Sequence, residues 1–331
     1  MSTSPVPGSP GALSPFHAGE RAVQERLGVR AKLEAHASSF IRAEMPDQHR
    51  EFFAQLPFVL VGSVDRAGQP WASVLVGRPG FIVAPDPTHL SISARPLFAD
   101  PLAGALSPGA PLGLLGVEPH TRRRNRANVT VERLTEAGFA ARLDQSFGNC
   151  PKYIQARQPA LLDAAAGRGE RRVRRGEGLD GDMRRLIGAA DTYFIASAFA
   201  GDAGQPAGVD VSHRGGKPGF VRIDDERTLS APEFSGNFFF NTTGNLMLDP
   251  RAGLLFIDFA SGDLLYLAVR ARIVWDGAEV DAFVGAQRLF RFDIVRAILV
   301  ENSLPLRWGE AQMSPLLERT GSWPQSGAAT D

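Results

Sequence analysis

Residues 67–76 read AGQPWASVLV and residues 203–212 read AGQPAGVDVS, and this near-repetition organises the reading of the whole chain. Just beyond it, RPGFI at 78–82 returns as KPGFV at 217–221, after a three-residue insertion in the second copy. Further on, GLLGVE at 113–118 returns as GLLFID at 253–258 and RANV at 126–129 as RARI at 270–273, with a looser match of QSF at 145–147 to NSL at 302–304. The order of matches is preserved, which is the signature of one structural unit present twice. Two copies in one chain mimic a homodimer, with a pseudo-twofold interface that is a natural place for a ligand site.

Around these matches the sequence is punctuated as an antiparallel meander. FVLVGSV (58–64), WASVLV (71–76), THLSIS (88–93), LGLLGV (112–117), RNRANVTV (124–131) and GFAARL (138–143) are short β-type runs separated by turn residues such as Gly68 and Pro70. Six such runs in one unit suggest a small barrel. Ahead of them, Val23, Leu27, Leu33 and Ile41 recur at helical spacing over 20–43, which predicts an outer helix. Pro46 at a first helical position, followed by Asp47, Phe52, Phe53 and Leu56, predicts a second, short one. The expected class is mainly β with flanking helices, two tandem barrels forming an intrachain pseudo-dimer. Its divisions are a tail (1–15), a first unit with its helices (16–157), a solvated Ala-, Gly- and Arg-rich connector (158–182), a second unit (183–315) and a tail (316–331).

Composition narrows the function classes. Lys plus Arg and Asp plus Glu are balanced at 36 each, so no net field draws the chain to nucleic acid or to an anionic membrane. A single cysteine, Cys150, leaves no intramolecular disulfide or multi-cysteine metal site, and with no secretory signal in the Ser- and Pro-rich start it implies a soluble, cytoplasmic protein. The six histidines have no metal-ligand spacing. There is no nucleophile elbow, P-loop or dinucleotide fingerprint.

The candidate chemistry lies where the two copies differ. Ser212-His213-Arg214-Gly215-Gly216-Lys217 reads either as a phosphate cradle, with glycines admitting backbone N–H groups and cations supplying charge-assisted bonds, or as a tight hairpin with its charges in water. Downstream, SGNFFFNTTGNL (235–246) predicts a short helix capped by Ser235, with Asn237, Asn241 and Asn245 four apart on one face. The first copy's ARPLFADPLAGALSPG has no Asn, which assigns ligand binding to the second copy. Arg122, Arg123, Arg124 and Arg126 make the first copy's fifth strand polar. They reach across to a ligand if the barrels meet there, or face solvent by strand alternation.

VDVSHRGGKPGFVRIDD, FSGNFFFNTTGNLMLDPRAGLLFIDFASGDLL, QSFGNCPKYIQAR and FHAGE together resemble the pyridoxamine 5′-phosphate oxidase-like, FMN-binding split-barrel family, in a long form with two tandem modules, over about residues 15–310. The resemblance implies an FMN held between two barrels, its phosphate and ribityl chain on Ser212, His213, Arg214, Gly215, Gly216, Lys217, Ser235, Asn237, Asn241, Thr242 and Asn245. It implies an oxidoreductase working through flavin N5, with a small-molecule substrate and an electron donor such as NAD(P)H or a separate reductase. The Arg-x-Val-Leu-Leu-Lys strand of the true oxidases is missing, which argues against vitamin B6 oxidation. A non-enzymatic flavin carrier and a haem-binding split barrel are the alternatives, and a homodimer of the whole chain is compatible with either.

Overall fold

The computed structural model describes residues 14–162, 169–201 and 208–324. The expected N-terminal tail up to residue 13, the AGQPA half of the second repeat (203–207), the middle of the connector (163–168) and the last seven residues lie outside the described residues.

The first unit contributes β1 (Phe58–Val64), β2 (Pro70–Val76), β3 (Ile82–Asp86), β4 (His89–Ile92), β5 (Pro111–Glu118), β6 (Arg123–Leu134) and β7 (Phe139–Gly148). After β8 (Pro159–Leu161) and β9 (Val173–Gly176) come the second unit's β10 (Thr192–Phe199), β11 (Gly208–Gly215), β12 (Arg222–Ile223), β13 (Thr228–Phe234), β14 (Arg251–Ile257), β15 (Leu264–Val274) and β16 (Ala286–Val300), and then β17 (Leu306–Trp308). The first sheet runs β2-β1-β5-β6-β7-β4-β3 and the second β11-β10-β14-β15-β16-β13-β12, the same antiparallel order, and neither closes on itself. All six β-type runs quoted for the first unit fall on strands. The seventh strand, β3, carries Pro85, which removes a ladder donor, and it lies at the sheet edge where that loss is tolerated.

The central strands are buried on both faces, which is why they read as continuous apolar runs. Along β1, Val59 and Val61 enter the first unit's own core, while Phe58 and Leu60 point the other way into a shared core with Phe194, Val211, Leu255 and Tyr266 of the second unit. The backbones approach closely across this interface. A Cβ on Gly113 would lie 2.5 Å from the Val209 carbonyl oxygen, and one on the matching Gly253 would lie 2.4 Å from that of Pro70. Both positions therefore require glycine.

The ladders correct the alignment of the two units. Gly62 pairs with both Gly113 and Ala72, and Ala196 with both Gly253 and Val211, so Ser73 corresponds to Ser212 and Arg78 to Lys217. From there to 82 and 221 the two units run without a gap, so the length difference falls before Val211 and not within the cationic hairpin. Leu115 faces Arg126 and Leu255 faces Tyr266, so the counterpart of Arg126 is Tyr266, not Arg270.

The helices differ more. The single helix expected over 20–43 is three: α1 (Ala18–Arg26), α2 (Arg30–Glu34) and α3 (Ala37–Phe40). The first break is at Gly28, whose φ of +68° no helix accommodates. The second expected helix is α4 (Asp47–Ala54), with Pro46 one position earlier than expected, as its N-cap. Three further helices position the site or support the sheets: α5 (Leu102–Ala105), α6 (Gly181–Ala189) and α7 (Asn241–Leu248). The connector is not a plain solvated link, since β8 pairs with β17 and β9 adds to β16. No helix among the described residues is long and apolar enough to cross a membrane.

Candidate functional site: a cationic cavity between the two units

A cavity of about 250 Å³ lies where β6 of the first unit faces β11, β13 and β16 of the second. The alternation of β6 sends Arg124 and Arg126 into it together, and from the second unit come Arg214 and Arg288. Arg126 is 3% exposed, and it donates to Asp210, to Asn241 Oδ1 at 3.0 Å and to Ser212 Oγ at 2.9 Å. Arg214 Nη2 donates to Glu233 Oε1 at 3.1 Å, and Arg288 Nη1 lies 3.1 Å from the same carboxylate's Oε2. Arg124 Nε donates to the Cys150 carbonyl at 2.6 Å, and it forms no ion pair among the described residues. Burial pushes the Arg124 guanidinium down to about 9, so it is still a cation at neutral pH.

Three of the four guanidinium groups share two carboxylates, Asp210 and Glu233, and Arg124 has none, which leaves two positive charges uncompensated. Burial, helped by the neighbouring Arg124 and Arg214, holds His213 well below its ordinary pKa, so the imidazole is neutral. Buried donors here also lack acceptors: Nε of Arg126, Arg214 and Arg288, and the amide nitrogen of Asn149, form no hydrogen bond. Unpaired buried donors cost about 1–3 kcal/mol each, so this constellation calls for an acceptor-rich anion.

The sequence-expected residues divide. Ser212, His213, Arg214, Ser235, Asn237, Asn241 and Thr242 line this cavity. Gly215, Gly216 and Lys217 do not. A Cβ on Gly215 would lie 2.0 Å from the Tyr153 carbonyl oxygen and one on Gly216 2.2 Å from the Phe220 ring, so these glycines serve packing and not an anion. Lys217 Nζ is turned away to the Thr320 carbonyl at 2.7 Å. Asn245 faces a different cavity, with its amide nitrogen on Ser197 Oγ at 3.0 Å.

The helix expected from Ser235 starts six residues later. Phe238 and Phe240 hold left-handed φ values of +64° and +62°, and the side chain of Asn237 accepts from Phe239 N at 3.1 Å, so this stretch is a loop. Asn237 is consequently not on the face shared by Asn241 and Asn245.

Sequence reasoning missed Glu233, Arg288, Asp210 and Glu20. Glu20 arrives because α1 and α7 touch through glycines. A Cβ on Gly19 would lie 2.1 Å from the Gly244 carbonyl oxygen, and one on Gly244 2.5 Å from Glu20 N. The contact brings the Glu20 carboxylate to the Asn241 amide, where burial pushes its pKa up to about 8 and keeps it largely protonated. Gly244→Ala should therefore pry α1 from α7, lowering unfolding free energy by about 1–3 kcal/mol in urea titration. An unchanged value would contradict the contact.

The equivalent place in the first unit is filled. Tyr266 and Ser73 occupy the positions of Arg126 and Ser212, and both bond to Asp100: Ser73 Oγ donates to it at 2.6 Å and Tyr266 Oη at 3.1 Å. Val74 and Leu75 stand where the second unit has His213 and Arg214.

Fold and site define a mainly β protein of two topologically equal antiparallel units with a cationic cavity between them. Among solved structures, similarity is found to HupZ of Group A Streptococcus (16% identity, 36% of this chain and 98% of that one, TM-score 0.28). A candidate pyridoxamine 5′-phosphate oxidase of Lactobacillus delbrueckii also matches (13% identity, 37% and 94%, TM-score 0.29), as does an FAD-binding protein of Mesorhizobium loti (13% identity, 39% and 97%, TM-score 0.26). No protein-family model and no curated protein matches the chain.

Proposed function

We propose that the chain is an FMN-binding flavoprotein of the split-barrel type, built by internal duplication, that works as an oxidoreductase with one flavin per chain. The observation that carries the reading is the set of buried donors without acceptors on Arg126, Arg214, Arg288 and Asn149, in a cavity with two uncompensated positive charges. A phosphate monoester brings up to two negative charges and several strong acceptor oxygens, which matches both deficits. Arg124, Arg126, Arg214 and Arg288 would hold the phosphate, with Ser212 and Asn241 orienting Arg126. The bound flavin would supply hydride or electron transfer, with reductant from NAD(P)H or a separate reductase. The protein's own contribution is to fix the anion, to present a neutral imidazole at His213 and to hold a proton on Glu20.

The purified protein is expected to show flavin absorption, to release FMN and not FAD on denaturation, and to be bleached by a nicotinamide reductant. A colourless protein that does not bind added FMN, or one with a Soret band, would overturn the reading.

A further inference from the structure

Glu20 differs from the other buried carboxyl groups around the cationic cavity. Asp210 pairs with Arg126, and Glu233 with Arg214 and Arg288, but Glu20, 4% exposed, forms no ion pair with an arginine or lysine among the described residues. It is tied to the cavity through one amide. Asn241, which lines the cavity, donates its Nδ2 to Glu20 Oε1 and accepts Arg126 Nη1 on its Oδ1 at 3.0 Å. A guanidinium only donates, so the orientation of that amide is fixed and Oε1 of Glu20 has to accept. Its other oxygen, Oε2, accepts from His17 N at 2.9 Å, which closes the capping box of α1. A carboxylate and a neutral carboxyl both keep an acceptor at Oε1. Titration of Glu20 therefore changes the charge behind Asn241 without breaking the Glu20–Asn241–Arg126 relay.

The groups that face Glu20 leave its charge to the cavity. β11 brings Asp210, β6 brings Arg126, α7 brings the uncharged Asn241, and α1 itself brings His17, whose Nε2 lies 3.6 Å from Oε2. Burial lowers His17 to about 4, so it is neutral, and Asp210 and Arg126 offset each other as an ion pair. Burial of Glu20 raises it to about 8, close enough to neutrality for a charge one amide away to decide its state.

The charges balance in one state. Without an anion, the four guanidinium groups outnumber Asp210 and Glu233 by two, and an ionised Glu20 offsets part of that excess. With a dianion in the cavity, Asp210, Glu233 and the ligand together match the four cations. An ionised Glu20 would then be a surplus buried negative charge with no counter-ion, which burial and the like charge of the ligand both disfavour.

We propose that Glu20 is a positioning residue that couples anion binding to protonation: as the dianion enters the cavity, one proton passes from solvent to the Glu20 carboxylate. The proposal deepens the anion reading of the cavity and rests on it, but not on the anion being a flavin. Glu20 is neutral below about 8 before the anion binds, and a bound anion raises that value further. Affinity is accordingly highest near neutral pH and is lost as pH rises through the value of the free protein.

The test is calorimetric titration of FMN, and separately of sulfate, whose charge is fixed over this range, into the full-length protein at about pH 7 and about pH 9. Wild-type affinity for both should fall about tenfold or more across that interval; Arg124, at about 9, contributes about twofold of it. Glu20→Gln should therefore lose only about twofold, and should match the wild type within about threefold at the lower pH. At about pH 8, where Glu20 is half-ionised, the buffer dependence of the heat should show the wild type taking up about half a proton per sulfate, and Glu20→Gln about a tenth. Gln cannot offer an acceptor to both Asn241 and His17 N, so urea titration checks that the variant folds. An infrared difference spectrum of the wild type supplies a readout free of mutation: sulfate added at the same pH should produce a protonated-carboxyl C=O band. Wild-type affinity independent of pH, no proton uptake, wild-type pH dependence in Glu20→Gln, or no carboxyl band would each overturn the proposal. If sulfate binds with this pH dependence and FMN does not bind, the flavin reading alone fails; if FMN binds without it, this proposal alone fails; if neither anion binds, both fail.

Discussion

Arg126→Ala should lower the unfolding free energy by about 3–5 kcal/mol, the largest stability loss expected for any single side chain of the site. The reason is the company Arg126 keeps. Asp210 is 4% exposed, and its other polar contacts are the hydroxyls of Ser212 at 3.0 Å and Thr242 at 3.3 Å. Without the guanidinium a carboxylate is left buried and unpaired, which costs far more than the ion pair itself contributes. Because Arg126 belongs to the first unit and Asp210 to the second, the loss falls on the contact between them. Arg126→Met combined with Asp210→Leu removes both charges and should recover most of the loss, since a dry apolar pair of similar volume carries no desolvation penalty. Urea titrations of the two single variants and the double variant measure this directly. If Arg126→Ala costs less than about 1 kcal/mol, or the double variant is no better than the single one, the pair is not buried between the units as described.

Much of the fold was legible because the strands are apolar on both faces and separated by Gly and Pro, so their positions are written in composition alone. Register was not. The short repeats 67–76 and 203–212 align best three residues out of step with the ladders, and only the pairing of Gly62 and Ala196 with their neighbours brings Ser73 opposite Ser212. RANV and RARI mislead in the same way, by four residues. The site was legible where it is local: Ser212 to Arg214, Asn241 and Thr242 line the cavity. It was misread where a residue's neighbour is distant in sequence. The glycine pair 215–216 looks like an anion cradle until Tyr153 and Phe220 are seen against it. Ser235 looks like a helix cap until the left-handed Phe238 and Phe240 delay the helix to Asn241. The polar run of Arg residues divides by strand alternation, with Arg124 and Arg126 facing inward while Arg123 donates to the Gln48 carbonyl, and Arg122, ahead of the strand in a left-handed conformation, binds the Ile154 and Gln312 carbonyls. Glu20 had no local signal beyond the small residues of FHAGE, since its place depends on Gly19 meeting Gly244.

The central claim, that the cavity between the units holds the phosphate of a flavin, is tested most directly by calorimetric titration of FMN and of riboflavin into the wild-type protein, Arg214→Ala and Lys217→Ala. Arg214 lines the cavity with its Nε unpaired, whereas Lys217, a neighbour in the same hairpin, is bound to the Thr320 carbonyl outside it. A charge-assisted bond contributes about 1.5–3 kcal/mol, so Arg214→Ala should weaken FMN by about ten- to a hundredfold and leave riboflavin, which has no phosphate, nearly unchanged. Lys217→Ala should leave both ligands as in the wild type, and FMN should saturate at one per chain. Equal loss of FMN and riboflavin in Arg214→Ala, or a loss of FMN in Lys217→Ala as large as in Arg214→Ala, would contradict the account.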